Sequence, residues 1–132
     1  MTNRTAGLAR AFAVGLGTAV IYAGVLMSML VLMWPQDFLA RLILLFLPTV
    51  LVGLVHRNLS SALGSSLLGV LLGALLTAYL STTPLSLLGP DEARTHLELY
   101  LGWVMRHMIL MLPLAPIGAM AGHFLSEIRQ VL

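Results

Sequence analysis

The sequence predicts an all-α polytopic integral membrane protein, with four transmembrane helices and a short amphipathic outer segment before the fourth. Three observations predict it. Apolar residues make up 59% of the 132-residue chain and charged residues only 9%, against about 25% charged in an ordinary soluble domain. A chain this small has a large surface for its volume and lacks the polar material to cover it in water. The few charges also divide the chain into apolar stretches of membrane-spanning length, and Pro- and Gly-containing breaks fall between them. The whole of 1–132 reads as a single transmembrane four-helix domain.

Helix 1 is expected at about 11–34, "AFAVGLGTAVIYAGVLMSMLVLMW", a run of 24 uncharged residues. At 1.5 Å per residue it spans about 36 Å, enough for a hydrocarbon core of about 30 Å. Arg4 and Arg10 precede it. A secretory signal peptide also has a basic start, but its apolar region is only about 7–15 residues long, so the helix reads as a permanent anchor. Trp34-Pro35-Gln36-Asp37 follows, and Pro35 ends the helix.

Helix 2 is expected at about 38–56. Only 14 uncharged residues separate Arg41 from His56, so the span needs the turn from Phe38 and a snorkelling Arg41. Pro48 sits mid-span, where membrane helices tolerate it. With so short a connection, helices 1 and 2 are expected to form a tight hairpin. Helix 3 is expected at about 60–82, within the charge-free stretch 58–90, and Pro84, Gly89 and Pro90 break it.

"GPDEARTHLELYLGW" opens the last helical stretch. Pro90 suits a first helical turn, and Asp91 and Glu92 suit the positive end of the helix dipole. From Pro90 to Val131 there are 42 residues without a long polar break, about 63 Å of helix and twice a membrane. Either the segment breaks near Pro113 and Pro116, or its first part lies outside the hydrocarbon. Helix 4 is therefore placed at about 103–126, after an amphipathic stretch at about 91–102.

Four spans put both ends of the chain on one side, expected to be cytoplasmic. That side would hold Arg4, Arg10, Arg57 and Arg129, against Arg41, Arg94 and Arg106 on the other, and the positive-inside rule follows the larger count. Trp34, Tyr79, Tyr100 and Trp103 would mark the outer boundary.

Several features are candidates for function. Ser65, Gly69, Gly73 and Thr77 recur every four residues in helix 3, Gly118, Gly122 and Ser126 repeat the theme in helix 4, and Gly15, Ala19 and Ala23 do so in helix 1. Small residues on one face let helix backbones approach closely. Such faces serve either packing inside one bundle or contact with a second subunit. Arg94, Glu98, Gly102 and Arg106 also follow at four-residue spacing, drifting by about 40° per step on one broad face. This stripe, which His107 adjoins, descends from the outer surface. Arg94 and Glu98 can pair along it. Arg106 either snorkels to headgroups beside Trp103 or turns into the bundle to pair with Glu98 or Asp37, and an intramembrane charge is a functional candidate.

His56 and His123 are expected at similar depth, where two facing imidazoles could ligate haem or a metal ion. Met27, Met29 and Met33, with Met105, Met108 and Met111, form two clusters whose soft sulfurs suit Cu(I), or simply pack as adaptable apolar side chains.

No paired carboxylates, nucleophile motif, phosphate loop or H-E-x-x-H stands in the sequence. All seven basic residues are Arg, scattered at a net charge of +2, and Cys is absent. Nucleic-acid binding, thiol chemistry and Cys-ligated metals are not expected, nor is any catalytic residue or cofactor. The expected function is non-enzymatic: a multi-pass cell-membrane protein that contacts the lipid bilayer. It would be a self-assembling component, as a homo-oligomer, or a subunit of a membrane complex, with the helix 3 and helix 4 faces as contacts. The alternative is a homo-oligomeric small channel or transporter with Arg106 and His107 near the pathway. A haem- or metal-binding subunit is the third reading.

Overall fold

The computed structural model describes residues 3–32, 36–82 and 89–132. They form α1 (Asn3–Leu32), α2 (Phe38–Val55), α3 (Leu59–Thr82) and α4 (Pro90–Val131). All four are long and apolar enough to cross a membrane. The boundaries expected for α2 and α3 lie within a residue of those observed. Met33, Trp34, Pro35 and Pro84, which carried the expected helix breaks, an interface aromatic and one copper ligand, fall outside the described residues.

Two boundaries differ. α1 begins at Asn3, so Arg4 and Arg10 belong to the helix rather than preceding it. The uncharged run marked the apolar part of the helix; the good helix formers Ala6, Leu8, Ala9 and Arg10 extend its backbone beyond that part. α4 is one continuous helix of 42 residues. The segment does not break at Pro113 or Pro116, both inside the helix. The stretch expected at 91–102 is its first turns, in which every side chain is exposed or half-exposed. Val104 is the first buried residue of α4. The excess length is accommodated by projection beyond the bundle.

Around the bundle the helices follow the order α1–α3–α4–α2. The hairpin expected between α1 and α2 is not the tight pair: α1 packs chiefly on α3, and α2 on α4. Glycine explains the pairing. A methyl at Gly69 would lie 2.7 Å from Thr18 Cγ2, and one at Gly73 would lie 2.8 Å from Tyr22 Cδ1. A methyl at Gly53 would strike the backbone carbonyl of Ala119, and one at Gly122 the carbonyl of Val50. Gly118 is seated on Thr49. Thr18 and Tyr22 meet Gly69 and Gly73 in that order, and Thr49 and Gly53 meet Gly118 and His123 in that order, so both close pairs are parallel. The short α1–α2 connection brings only the helix ends together; absent Cβ atoms decide which backbones meet along their length. Between α1 and α2 the seam instead holds two apolar clefts of about 220 and 340 Å³.

The core lies mid-bundle and is apolar: Tyr22, Leu26, Met29, Leu45, Val70, Met111 and Ala115, with Trp103 and Leu114 packed against it. Met29 and Met111, one from each methionine cluster, are core fillers here. Buried hydroxyls are mostly satisfied within their own helix. Thr18 donates to the Val14 carbonyl at 2.7 Å, Thr49 to Phe46 at 2.6 Å and Thr77 to Gly73 at 2.7 Å. Such bonds let polar side chains sit in a low-dielectric interior without partners on other helices.

Candidate functional site

Polar side chains gather at the two ends of the bundle. At the end that holds both termini, His56 caps α2, and its backbone N–H donates to Val52 O at 3.3 Å. Ser65 Oγ–H donates to the Ala11 carbonyl at 2.8 Å, so its oxygen is left to accept from His56 Nε2–H at 2.9 Å. A carbonyl can only accept, so His123 Nδ1–H donates to His56 O at 3.2 Å. His123 Nε2 stands 3.5 Å from Glu127 Oε1, and Arg10 Nη2 donates to Val55 O at 3.4 Å. Side chains of α1, α3 and α4 are thereby tied to the last turn of α2 and its cap. An open cleft of about 530 Å³ lies beside them, lined in part by Arg57, Ser126, Glu127 and Gln130. Burial, then the nearby Arg10 charge, lowers the pKa of His56 from its ordinary value.

The sequence places His56 and His123 at one depth, and here they meet. They meet through a ring nitrogen and a backbone oxygen, however, not as two rings turned to a common ligand. Among the described residues no three His, Cys, Asp or Glu side chains are grouped to hold a metal ion. Ser65, read from the sequence as a small packing residue, also anchors the His56 ring.

At the opposite end, Asp37 caps α2 by accepting from the Ala40 N–H at 3.4 Å. Arg41 follows one turn later, beside Trp103, Arg106 and His107 of α4. With Phe38, Ile109 and Leu110 these residues line a cleft of about 360 Å³. His107 Nδ1–H donates to the Trp103 carbonyl one turn back at 2.9 Å, and the two rings lie tilted by 36° with centroids 3.9 Å apart. His107 is 6% exposed. Two buried side-chain polar atoms of the described residues lack a hydrogen-bond partner: His107 Nε2 and Tyr22 Oη.

The predicted polar stripe is thus divided. Arg94 Nε donates to Glu98 Oε1 at 3.2 Å on the exposed part of α4. Arg106 lies exposed on the helix and does not turn into the bundle to meet Glu98. Eight residues separate them, about 12 Å along the axis, and Arg94 already occupies the carboxylate. Asp37 is engaged as a cap. The partner that sequence reasoning missed is Arg41, which shares a cleft with Arg106 and His107. Its signal was present, since Arg41 and Arg106 were both expected on the side opposite the termini, but nothing local says that α2 and α4 are neighbours.

Of the small-residue faces, Gly69 and Gly73 are buried against α1, and Gly118 and Gly122 against α2. Ser65 and Thr77 are buried in the same bundle. Gly17 and Gly24 differ: nothing lies within 4 Å of a methyl placed on either.

No family model, curated protein or solved structure matches this chain.

Proposed function

We propose that this is a non-enzymatic integral membrane protein that works as a component of a membrane assembly, as a homo-oligomer or as a subunit among other membrane proteins. Both termini would face the cytoplasm. The contact face would be the α1–α2 seam, not the glycine faces of α3 and α4, which are filled from within the chain. The observation that carries this is the contrast between glycines. Gly69, Gly73, Gly118 and Gly122 have a neighbour where a Cβ would go, whereas Gly17 and Gly24 have open space beside apolar clefts. A small residue without a close neighbour leaves room for another helix backbone.

A second reading, a homo-oligomeric channel or transporter, draws on the cleft of Arg41, Arg106 and His107. Any pathway would have to run between copies, because apolar side chains fill the centre of one chain.

The two kinds of glycine separate in one experiment, the mass of the detergent-solubilised particle alongside its thermal unfolding. Gly24→Leu is expected to shrink the particle and leave the melting temperature near that of the wild type. Gly73→Leu is expected to lower the melting temperature itself. A particle unchanged by both Gly17→Leu and Gly24→Leu would sink the seam as a contact face. For topology, the chain has no native cysteine, so a cysteine at Thr95 should react with an impermeant reagent from outside the cell; reaction only after the membrane is opened would reverse the threading.

A further inference from the structure

His123 and Glu127 stand one turn apart on α4, with Nε2 3.5 Å from Oε1. The state of the ring's other nitrogen is fixed. Nδ1 carries a proton, because it donates to the His56 carbonyl. On the neutral ring Nε2 is therefore a bare acceptor, and an ionised carboxylate is acceptor-only. Two acceptors this close call for a positive species between them, either a proton or a metal cation.

The geometry favours the metal. A hydrogen bond between these atoms would hold them about 2.7–3.2 Å apart. Two ligands of a tetrahedral zinc-like ion, each bonded at about 2.0–2.2 Å, stand about 3.3–3.5 Å apart, which matches the observed separation. A backbone carbonyl accepting from Nδ1–H is also the outer contact that orients metal-bound imidazoles. The ring is held, with its side chain 9% exposed, while the carboxylate is 59% exposed. Both line the open cleft of about 530 Å³ with Ser126 and Gln130, which gives an ion a way in and leaves its other positions to water. The end of α4 adds the negative pole of the helix dipole, which favours a cation. Arg57 lines the cleft as well, but it is exposed, where water and salt screen its charge. Imidazole with carboxylate suits Zn²⁺, Co²⁺ or Ni²⁺. Cu(I) prefers sulfur, and Mg²⁺ and Ca²⁺ prefer oxygen alone.

We propose that His123 Nε2 and Glu127 Oε1 form a binding site for a divalent transition-metal ion of the zinc class, with water completing its coordination. Two protein ligands make an exchangeable site rather than a closed structural cage. Through the His123–His56 bond the ion would reinforce the junction of α4 with the cap of α2. The site stands independently of the assembly face, since neither Gly17 nor Gly24 lines it.

The test uses the full chain, free of any affinity tag, in an uncharged detergent at about pH 7.5, where an ordinary histidine is mostly neutral. Calorimetric titration with zinc chloride should show one site per chain with a Kd on the order of 10⁻⁵ M, and magnesium should bind at least about a hundredfold more weakly. Zinc should also raise the melting temperature, because it binds the folded chain. Glu127→Gln should weaken zinc by about tenfold or more. His123→Asn keeps a side-chain N–H near the place of Nδ1 and removes Nε2. It should weaken zinc at least as much and lose the zinc-dependent rise in melting temperature, a readout that a purely structural role would not move. His96→Gln, on the exposed start of α4, should leave zinc binding unchanged. Thermal unfolding without metal controls for folding, and Glu127→Gln decides the matter if His123→Asn fails it. Zinc binding no tighter than magnesium would show that a proton alone bridges the pair and would overturn the proposal. So would zinc binding that survives both substitutions, or that His96→Gln abolishes.

Discussion

The two ends of the bundle hold similar side chains and treat them differently. Each has a buried histidine beside arginine, at the junction of α2 and α4. At the terminal end, the His56 ring donates to Ser65, Ser65 donates to Ala11, and His123 donates to His56 O. At the opposite end His107 has one nitrogen committed to its own helix and the other unpaired. The difference teaches that a buried histidine reads as structural or functional by its hydrogen-bond account, not by its burial. The closed network joins helices; the other leaves one buried ring nitrogen without a hydrogen-bond partner.

The largest expected effect breaks the frame that holds both ends. Gly122→Ala would drive a methyl into the Val50 carbonyl, a backbone group that cannot rotate away. It should cost on the order of 3 kcal/mol, at the upper end of overpacking effects, measured as a large fall in melting temperature by circular dichroism. Gly69→Ala meets the Thr18 side chain instead and should cost less. Equal melting temperatures for these two variants would refute the backbone argument.

The next expected effect sharpens the contrast between the histidines. His56→Leu removes the donor to Ser65 and should cost about 1–3 kcal/mol. His107→Leu replaces an unpaired buried polar atom by an apolar side chain and should be neutral or slightly stabilising. Comparable losses in the two variants would erase the distinction. Tyr22→Phe is the internal standard for an orphaned group: it deletes the unpaired hydroxyl and should raise stability by about 1 kcal/mol.

The network should also respond to pH. The folded pKa of His56 is lowered, so the folded state binds its proton less readily than the unfolded chain does. The neutral ring's contribution is fully present above the ordinary histidine value of about 6.5. It is lost as pH falls from there through the lowered folded value, and levels off below it. Arg10 on α1, with Arg57, His123 and Glu127, shares this end and modulates the profile. The melting temperature of the wild type should fall on acidification through this window, more steeply than that of His56→Leu. Parallel profiles would show that another group titrates.

The smallest effects belong to the exposed stripe. Arg94→Ala should change stability by no more than about 0.5 kcal/mol, since both members of its ion pair are largely exposed. Arg106→Gln and Glu98→Gln should be additive to within about 0.5 kcal/mol. A larger coupling in the double-mutant cycle would restore the pair that this fold separates.

How much of this was legible in the sequence follows from what kind of property each feature is. Spanning length, apolar composition and helix breaks are local, so the sequence by itself determined four helices and the limits of α2 and α3. It determined the Arg94–Glu98 spacing and the faces on which Gly69, Gly73, Gly118 and Gly122 recur. It left open whether α4 breaks or projects, because Pro113 and Pro116 are compatible with both in an apolar helix. Only the tertiary structure decided that α1 pairs with α3 and α2 with α4. A helix apolar all round carries no stripe to say which side faces inward, and close packing needs small residues on one helix to coincide in depth and direction with a fitting surface on another. That coincidence brought Arg41 beside Arg106 and His107, and joined His56 to Ser65. It also left His107 Nε2 without a partner, since hydrogen-bond satisfaction depends on which helices become neighbours, not on spacing along one of them.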